Sequence, residues 1–499
     1  MDSLINLHSI NPIWAMLFPL LAIPFIGILG EKCRNYRETV IIIAGVLTLC
    51  VNLAIFNAMT QGIIVESQEH IIFSTLGLKL SAEPLGVLFA LLASFLWIVT
   101  TIYSIGYMRA HHEKNQTRFY ICFAIAIGSV MAAAYADNFF TLFVAYEAIT
   151  LSTLPLVTHA GNAAAFRAGK IYVMTLMSAS IGLLLPSMIW IWQTTGTLDF
   201  VAGGILSDHD LSPLALTLLL FLIVFGTAKA ALIPVHGWLP NAMVAPTPVS
   251  ALLHAVAVVK TGVFLILKVV IYIFGLDVFQ QTGIADWLIF ISCATIIIAS
   301  LIALTKDNLK ARLAYSTIGQ LSYIILAALL ATPESIVGGG MHIFSHAFGK
   351  ITLFFCAGAI LVSLHVKNVS ELDGVGKQIP LTMIAFFIGA LSIIGLPPTA
   401  GIWSKFSIAI GSLDAERIFP VIILMLSSLL NIAYLLPIPI RAFFRDQSQS
   451  STYSTSTPRA KFGIEPLACK IAIAITMSIS VALFFFASRI TDVLYQLPL

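Results

Sequence analysis

Long apolar segments follow one another along almost the whole chain. A helix needs about 20 mostly apolar residues to cross the hydrocarbon layer of a membrane. Segments of roughly this length can be placed at 12–30, 39–58, 84–107, 119–136, 138–158, 171–193, 213–234, 247–274, 284–304, 315–331, 337–364, 380–411, 419–440 and 469–488. The sequence therefore predicts an all-α, polytopic membrane protein with about 14 transmembrane helices.

The composition excludes several other classes of protein. Of the 499 residues, 59% are apolar and only 10% are charged, whereas about 25% of the residues in a soluble domain are charged. The net charge of +3 is too small to build a basic surface for nucleic acid. The six cysteines are far apart and contain no C-x-x-C pair, which argues against a disulfide framework, a zinc site and an iron–sulfur cluster. We expect no nucleic acid, no metal and no cofactor.

The positions of lysine and arginine predict the orientation in the membrane, because cytoplasmic loops collect these residues. If the chain begins outside, only Lys79, Arg417 and Arg489 fall at the outer side. The inner loops and inner helix ends then hold Lys32, Arg34, Arg37, Arg109, Lys114, Arg118, Arg167, Lys170, Lys306, Lys310, Arg312, Lys367, Lys377, Arg441, Arg445, Arg459, Lys461 and Lys470. This asymmetry predicts a multi-pass protein of the plasma membrane, the inner membrane of a bacterium, with both termini on the outer side.

Spans 4–8 and 9–13 form two units of five predicted helices. Because five is an odd number, the second unit begins on the opposite side of the membrane, and the two units are inverted repeats. The predicted organisation is residues 1–117 for helices 1–3, 118–274 for the first repeat, 284–440 for the second, and 441–499 for a cytoplasmic loop and the last helix. The Ser/Thr-rich stretch within 441–468 is typical of a flexible loop.

The fourth helix of each repeat carries helix-breaking residues beside a lysine. Span 7 reads G-T-A-K-A-A-L-I-P around Lys229, and span 12 reads G-L-P-P-T-A-G-I-W-S-K up to Lys405. Interrupted helices at matching positions of two inverted repeats are typical of transport sites, since unwound backbone is tolerated only where it faces protein or water. We therefore predict a broken helix in spans 7 and 12.

Six charged residues lie inside predicted spans: Glu147, Lys229, Lys260, Lys268, Lys350 and Lys405. A charge at the centre of the membrane costs at least about 2.5 to 3.5 kcal/mol, so such residues normally face protein or water and mark a pathway. Lys268 is close enough to the outer end of its helix to extend its ammonium group to the surface. For Glu147, Lys260 and Lys350 the alternative is a structural ion pair.

Histidines add a second set of titratable groups. His342, His346 and Lys350 recur at intervals of four residues, which aligns them on one face of a helix. Histidine titrates near neutral pH, so a proton could pass along such a face; the alternative is packing against neighbouring backbone. His254 precedes Lys260 by six residues in the same span and would face another side. A metal site fits poorly, because no carboxylate or thiol lies near the two histidines in sequence.

Several of these motifs together resemble one known family. The stretch K-A-A-L-I-P-V-H-G-W-L-P-N-A-M-V-A-P-T-P-V-S-A-L-L-H-A-V-A-V-V-K-T-G that begins at Lys229 is similar to the signature of the antiporter-like subunits of Mrp-type Na⁺/H⁺ antiporters, respiratory complex I and membrane-bound hydrogenases. Tyr146-Glu147, H-I-F-S-H-A-F-G-K up to Lys350, and the stretch up to Lys405 agree with it. The resemblance covers about residues 80–440.

This resemblance implies a proton path. Glu147 and Lys229 would form a coupled pair, Lys260 would be the connecting relay, and Lys405 would be the terminal exchange site; His342, His346 and Lys350 would continue the central axis, and His254 matches a histidine of the signature. The length of the chain and the lysine at 405 resemble the Mrp D subunit most. Protons, Na⁺ or another monovalent cation and further membrane subunits are the expected partners. A proton-pumping subunit of complex I or a hydrogenase, a non-translocating scaffold and a stand-alone solute symporter are the alternatives.

Overall fold

The structure is a computed structural model of the chain, and it describes residues 11–73, 76–252, 257–446 and 465–499. The α-helices in these ranges are α1 (Ile13–Leu29), α2 (Arg34–Thr60), α3 (Pro84–Ala110), α4 (Gln116–Ala134), α5 (Phe139–Val157), α6 (Ala163–Ala179), α7 (Leu185–Thr195), α8 (Pro213–Gly226), α9 (Trp238–Asn241), α10 (Thr247–Ala251), α11 (Val258–Val269), α12 (Leu276–Thr282), α13 (Asp286–Thr305), α14 (Leu309–Leu330), α15 (Pro333–Leu364), α16 (Pro380–Ile394), α17 (Gly401–Asp414), α18 (Ile418–Leu435), α19 (Pro437–Phe444), α20 (Leu467–Phe485) and α21 (Ala487–Leu494). One antiparallel strand pair, β1 (His70–Phe73) and β2 (Leu76–Leu78), is added to this helical architecture.

The helices account for the predicted membrane spans. Within the described ranges, ten helices are long and apolar enough to cross a membrane, counting α6 with α7 and α18 with α19 as one each. An eleventh span results if α11 and α12, which are bent by 79°, are taken together. The shorter apolar helices are α1, α8 and α16. Each of the predicted segments thus contains a helix, and the prediction of a polytopic helical membrane protein is confirmed.

Three helices with a capping side chain at the start begin earlier than hydropathy predicts. α6 begins at Ala163, α14 at Leu309 and α15 at Pro333, four to eight residues before the predicted apolar segments. Each of these helices is preceded by a capping residue whose side chain accepts a hydrogen bond from a backbone N–H three residues further on. The capping residues are Asn162, Asn308 and Thr332. Such caps stabilise a helix end, so the helices extend through polar residues that hydropathy assigns to loops.

The two repeats have the same order of elements. The first contains α4, α5, α6 with its continuation α7, the interrupted α8, and α11. The second contains α13, α14, α15, the interrupted pair α16 and α17, and α18. α8 ends at Gly226 and a 3₁₀ turn follows at Ala228–Ala230, while α16 ends at Ile394 and α17 begins at Gly401. Both predicted breaks are confirmed.

Loops that the charge distribution assigns to the same side contact one another. On the predicted inner side Arg109 pairs with Glu38, Leu309 N donates to Lys367 O, and Arg441 pairs with Asp373; on the opposite side Lys79 pairs with Asp137 and Arg417 with Asp286. Hydrogen bonding to Asp137 raises the pKa of Lys79, and hydrogen bonding to Arg441 lowers the pKa of Asp373. The alternation of sides agrees with the predicted topology, and the assignment of one side as cytoplasmic stays a prediction.

The long helix α15 lies at the centre of the fold. It packs against α14, α16 and α17 of its own repeat and also against α3, α10 and α20. Its residues from Ser335 to Ile360 are all buried. Any polar side chain on this helix must therefore find its partners inside the protein.

The predicted loop in 441–468 is only partly within the described residues. Its first residues belong to α19, and residues 447–464 lie outside the described ranges. Glu465 is buried and accepts a hydrogen bond from Thr382 on α16. The described end of this segment is therefore anchored to the second repeat.

Candidate functional site

Lys229 lies in the break after α8, in the 3₁₀ turn Ala228–Ala230. Its side chain is fully buried, and Nζ donates a hydrogen bond of 2.6 Å to the carbonyl oxygen of Tyr146 on α5. The same ammonium group lies 3.0 Å from the centre of the Tyr146 ring, a favourable cation–π position. Trp238 donates from its indole nitrogen to the carbonyl oxygen of Ala228 at 2.9 Å, so a residue of the G-W-L-P stretch satisfies the unwound backbone.

Glu147 is the next residue on α5 after the carbonyl group that binds Lys229. Both of its carboxylate oxygens are shielded and have no hydrogen-bond partner among the described residues. Within the same ranges, no ion pair of 4.0 Å or less joins it to Lys229. The structure therefore brings Lys229 to the helix of Glu147, where the carbonyl group of the preceding residue, Tyr146, binds the ammonium group.

Lys260 connects the two repeats. It lies on α11 of the first repeat, and its Nζ is 2.6 Å from Nδ1 of His346 on α15 of the second. Gly262 lets α11 approach the break, since a Cβ atom there would lie 2.5 Å from the backbone nitrogen of Ala230 and 2.9 Å from Cβ of Lys229. The backbone of α11 therefore lies against the break at Lys229, and the buried Lys260 side chain reaches from α11 to His346 of the second repeat.

His342 continues from His346 towards the second break. Its ring is stacked on that of His346 with centroids 6.0 Å apart, and its Nδ1 lies 2.9 Å from Oγ of Ser404 on α17. Tyr323 on α14 lies between this histidine and Lys405, with its ring 5.5 Å from the imidazole and 4.9 Å from the ammonium nitrogen. The axis predicted from His342 and His346 leads to the terminal lysine.

Lys405 binds the end of the interrupted helix of its own repeat. Its Nζ donates to the carbonyl oxygens of Ile393 and Ile394 at 3.0 and 2.8 Å, and to Oγ of Ser428 at 3.2 Å. These carbonyl groups are at the C-terminus of α16, where helical partners are lacking and the helix dipole is negative. The break thus creates a binding site for an ammonium group.

Lys350 forms a branch of the axis. Although it shares a helix face with the two histidines, its Nζ donates to Oγ of Ser316 at 2.7 Å and to the carbonyl oxygen of Leu313 at 3.4 Å, both on α14. The hydroxyl group of Tyr434 on α18 donates to the same Ser316 at 2.8 Å. This lysine therefore lies among α14, α15 and α18.

Lys268 does not extend to the surface, so the prediction for this residue was wrong. Its side chain is 2% exposed and its Nζ lies 3.2 Å from Oε1 of Glu83, while it donates to the carbonyl oxygen of Ala136 at 2.9 Å. Phe200 covers the ammonium group at 4.3 Å. The hydropathy of its helix could not reveal this pairing, because Glu83 is distant in sequence. His254, another predicted site residue, lies outside the described residues.

The four remaining buried lysines have no carboxylate partner. For Lys229, Lys260, Lys350 and Lys405, no Asp or Glu oxygen lies within 4.0 Å in the described part of the chain. Their partners are backbone carbonyl, hydroxyl and imidazole groups. Such partners hold the ammonium group by hydrogen bonds without the opposite charge of a carboxylate, and among them the imidazole group can also accept its proton. Among the described residues, no group of three His, Cys, Asp or Glu side chains is placed to hold a metal ion.

The sequence analysis missed the hydroxyl and amide groups around these lysines. Ser316, Gln320 and Tyr323 recur along the buried α14, and Ser427, Asn431 and Tyr434 recur along α18. In both helices the spacing is three or four residues, which places polar groups on one face. That pattern within an apolar span could have identified both helices as walls of the polar axis.

Comparisons with known proteins agree with this geometry. Residues 136–431 match the model of the NADH:quinone oxidoreductase/Mrp antiporter transmembrane family. The chain belongs to this family. The matched region contains every predicted site residue from Glu147 to Lys405, and the expected resemblance is confirmed.

Relatives with curated descriptions are subunits of quinone oxidoreductases. The chain is 29% identical to NADH-quinone oxidoreductase subunit N of Desulforudis audaxviator over 377 residues, 75% of this chain and 74% of that one. It is 32% identical to subunit L of Mycobacterium tuberculosis over 378 residues, 75% of this chain but only 57% of that one.

Solved structures show the same fold over nearly the whole chain. A chain in the structure of the Mrp complex from Dietzia sp. has a TM-score of 0.82 and 22% identity, with 98% of this chain and 97% of that chain covered. A chain in the membrane-bound sulfane sulfur reductase, an archaeal respiratory membrane complex, has a TM-score of 0.81 and 21% identity, with 97% and 96% covered. The protein is a multi-pass, antiporter-like membrane subunit, and both structural neighbours are multisubunit complexes.

Proposed function

We propose that the chain is the proton-translocating subunit of a multisubunit monovalent cation (Na⁺)/H⁺ antiporter of the Mrp type, similar to its D subunit. The observation that carries this proposal is the buried contact between Lys260 and His346, which joins the two repeats, together with the buried Lys229 and Lys405 at the break of each repeat. A scaffold would not need four buried lysines without carboxylate partners, since each raises the cost of insertion.

In this mechanism Glu147 and Lys229 act as a coupled pair. When Lys229 is protonated, its ammonium group is held by the Tyr146 carbonyl group and attracted by the neighbouring carboxylate. When it loses its proton to the axis, this attraction ends. Lys260 and His346 then pass the proton to the second repeat, and Lys405 exchanges it at the end of α16.

The partners and location follow from the same proposal. The transported ions are protons and Na⁺ or another monovalent cation, and other hydrophobic antiporter subunits complete the assembly in the plasma membrane. Both termini lie on the outer side, because the loops with most lysine and arginine residues contact one another on the opposite side.

A second candidate is an antiporter-like, proton-pumping subunit of a redox complex such as complex I or a hydrogenase. It is favoured by the curated relatives, which are subunits of NADH-quinone oxidoreductases. In that case electron transfer, not a Na⁺ gradient, would drive the same proton path.

The variants Glu147→Gln and Lys229→Ala test the path and separate the two candidates. The assay uses everted membrane vesicles from the organism that makes the chain, with a dye that reports the pH gradient. If the chain is part of an antiporter, added NaCl dissipates a respiration-driven gradient in the unmodified vesicles and fails to do so in both variants. If it belongs to a redox pump, both variants instead lower the gradient that the complex's own electron donor generates.

The exposed Lys377 serves as a matched control, because its ammonium group pairs with Asp446 at the protein surface. Lys377→Gln removes a charge outside the path, and we expect activity within twofold of the unmodified chain. Full activity of both Glu147→Gln and Lys229→Ala, at equal amounts of chain in the membrane, would show that the pair is structural and would refute the proposed function.

A further inference from the structure

A cavity of about 390 Å³ opens on the side of the protein that the charge distribution predicts to be cytoplasmic. It lies where the two repeats meet, between the 243–246 segment of the first repeat and α14 and α15 of the second. Its wall contains five titratable side chains, Tyr107, His111, Glu113, Lys310 and Lys367. The axis described above does not use any of them.

Lys310 is the charged residue of this cavity that lies on α14, the helix that also binds Lys350. It lies in the first turn of α14, and its Nζ donates a hydrogen bond of 2.6 Å to the carbonyl oxygen of Ala245. No carboxylate oxygen lies within 4.0 Å of it in the described ranges. Glu113 and Lys367 are the charged groups that interact with it electrostatically at longer range.

Lys350 is related to the cavity through α14 and α15, the two helices that line it. Leu313, whose carbonyl oxygen accepts from Lys350, is three residues after Lys310 on α14, a rise of about 4.5 Å. On α15, Ala357 and Leu361 line the cavity, and Ala357 is seven residues after Lys350, a distance of about 10 Å along the helix. Lys310 therefore lies on the cavity wall, about one turn of α14 from the backbone carbonyl group that Lys350 binds.

The mouth of the cavity carries groups that can exchange protons. His111 and Glu113 follow the end of α3, and Nδ1 of the histidine lies 3.0 Å from Oε1 of the carboxylate. The other carboxylate oxygen lies 3.8 Å from Nε2 of His159. Lys367 is exposed at the opposite wall. Imidazole and carboxylate groups at the mouth of a cavity are groups that can exchange protons with water.

We propose that this cavity is the inner-side proton opening of the second repeat and that Lys310 exchanges protons between the cavity and Lys350. The inference rests on the proposed proton path and adds a residue and a route that the path lacked. It explains why Lys350 branches from the histidine axis towards α14. The competing explanation is that Lys310 only ties α14 to the backbone at Ala245.

Substitution by arginine separates these explanations. Arginine keeps the positive charge and the hydrogen-bond donors but does not release a proton in proteins. In everted vesicles we expect Lys310→Arg and Lys310→Met to lower proton translocation by tenfold or more, whereas Lys377→Arg, which changes an exposed cation outside the cavity, stays within twofold. Lys310→Arg with at least half of the unmodified activity would overturn the proposal, since a tie to the backbone is all that arginine can maintain.

Thiol labelling tests the cavity without any transport assay. Leu361→Cys lies in the proposed opening, and Ala415→Cys lines a second cavity on the opposite side. With a charged, membrane-impermeant thiol reagent and mass spectrometry of the labelled peptide, Leu361→Cys should react in everted vesicles and Ala415→Cys only in right-side-out vesicles. Absence of labelling of Leu361→Cys in everted vesicles would overturn the proposal. This test does not use Lys310→Arg, so it decides the proposal even if that variant fails to accumulate in the membrane.

The experiments distinguish a failure of the proposed function from a failure of the role proposed for Lys310 and its cavity. If Glu147→Gln and Lys229→Ala remain active, the proposed function is wrong whatever the labelling shows. If those variants are inactive and Lys310→Arg remains active, the proton path stands and only the role of Lys310 and its cavity is refuted.

Discussion

The contact between Lys260 and His346 is the point at which the proton path passes from one repeat to the other. Both side chains are buried, and Nζ lies 2.6 Å from Nδ1. Lys260→Met keeps a long apolar side chain and removes the titratable group. The next titratable group on α11 is Lys268, eight residues or about 12 Å along the helix, far beyond the reach of about 2.6 to 3.2 Å for direct proton transfer.

The size of the effect follows from the hydrogen bond that is lost. Removing one partner from a buried hydrogen bond costs about 1 to 3 kcal/mol, because the other partner stays desolvated. If this cost is added to the barrier for proton transfer, the rate falls about 5- to 150-fold, since about 1.36 kcal/mol corresponds to a factor of ten. The missing proton carrier adds to this effect, so fivefold is the smallest loss that we expect for Lys260→Met.

The assay is the rate of pH-gradient formation or dissipation in everted vesicles, normalised to the amount of chain. Lys260→His retains a titratable side chain and should recover part of the activity that Lys260→Met loses. Lys377→Met is the control for the same chemical change at an exposed site outside the path. If Lys260→Met retains at least half of the unmodified activity, the Lys260–His346 contact is structural and the path between the repeats must run elsewhere.

Two further predictions concern packing and charge. Gly262→Ala places a methyl group 2.5 Å from the backbone nitrogen of Ala230, so we expect a lower thermal unfolding temperature and reduced activity. Gly182→Ala is the control, because a methyl group there has no atom within 4 Å and should change neither property. Equal unfolding temperatures for the two variants would contradict the close approach of α11 to the break. Lys268→Met leaves the carboxylate of Glu83 without its cation and should cost about 3 to 5 kcal/mol of stability. The double variant with Glu83→Gln should recover part of this loss in the same thermal unfolding measurement, and a purely additive double variant would show that the ion pair is not formed.

The membrane spans and both breaks could be predicted from sequence because they depend on local properties. Hydropathy over about 20 residues decides whether a segment enters the membrane, and Gly or Pro beside Lys229 and before Lys405 interrupts the helix wherever it is placed. The helix ends at Asn162 and Thr332 were less predictable, since a capping side chain outweighs hydropathy over one or two turns.

The partners of the buried charges depend on packing between distant segments. Lys268 and Glu83 are 185 residues apart in sequence (268 minus 83), and their pairing required the contact between the regions of α11 and α3. Likewise the axis from Lys260 to His346 exists only because α11 of one repeat lies against α15 of the other.

The sequence by itself determined that the chain is a helical membrane protein, where its two helices are interrupted and which few charged residues lie within the membrane. Each of these properties follows from the chemistry of a short stretch of residues. Only the tertiary structure decided that Lys229 binds a backbone carbonyl group, that Lys350 turns to Ser316 and that Lys268 belongs to an ion pair. Hydrogen bonds and ion pairs act over about 3 to 4 Å, so their partners are set by which helices pack together and not by positions along the chain.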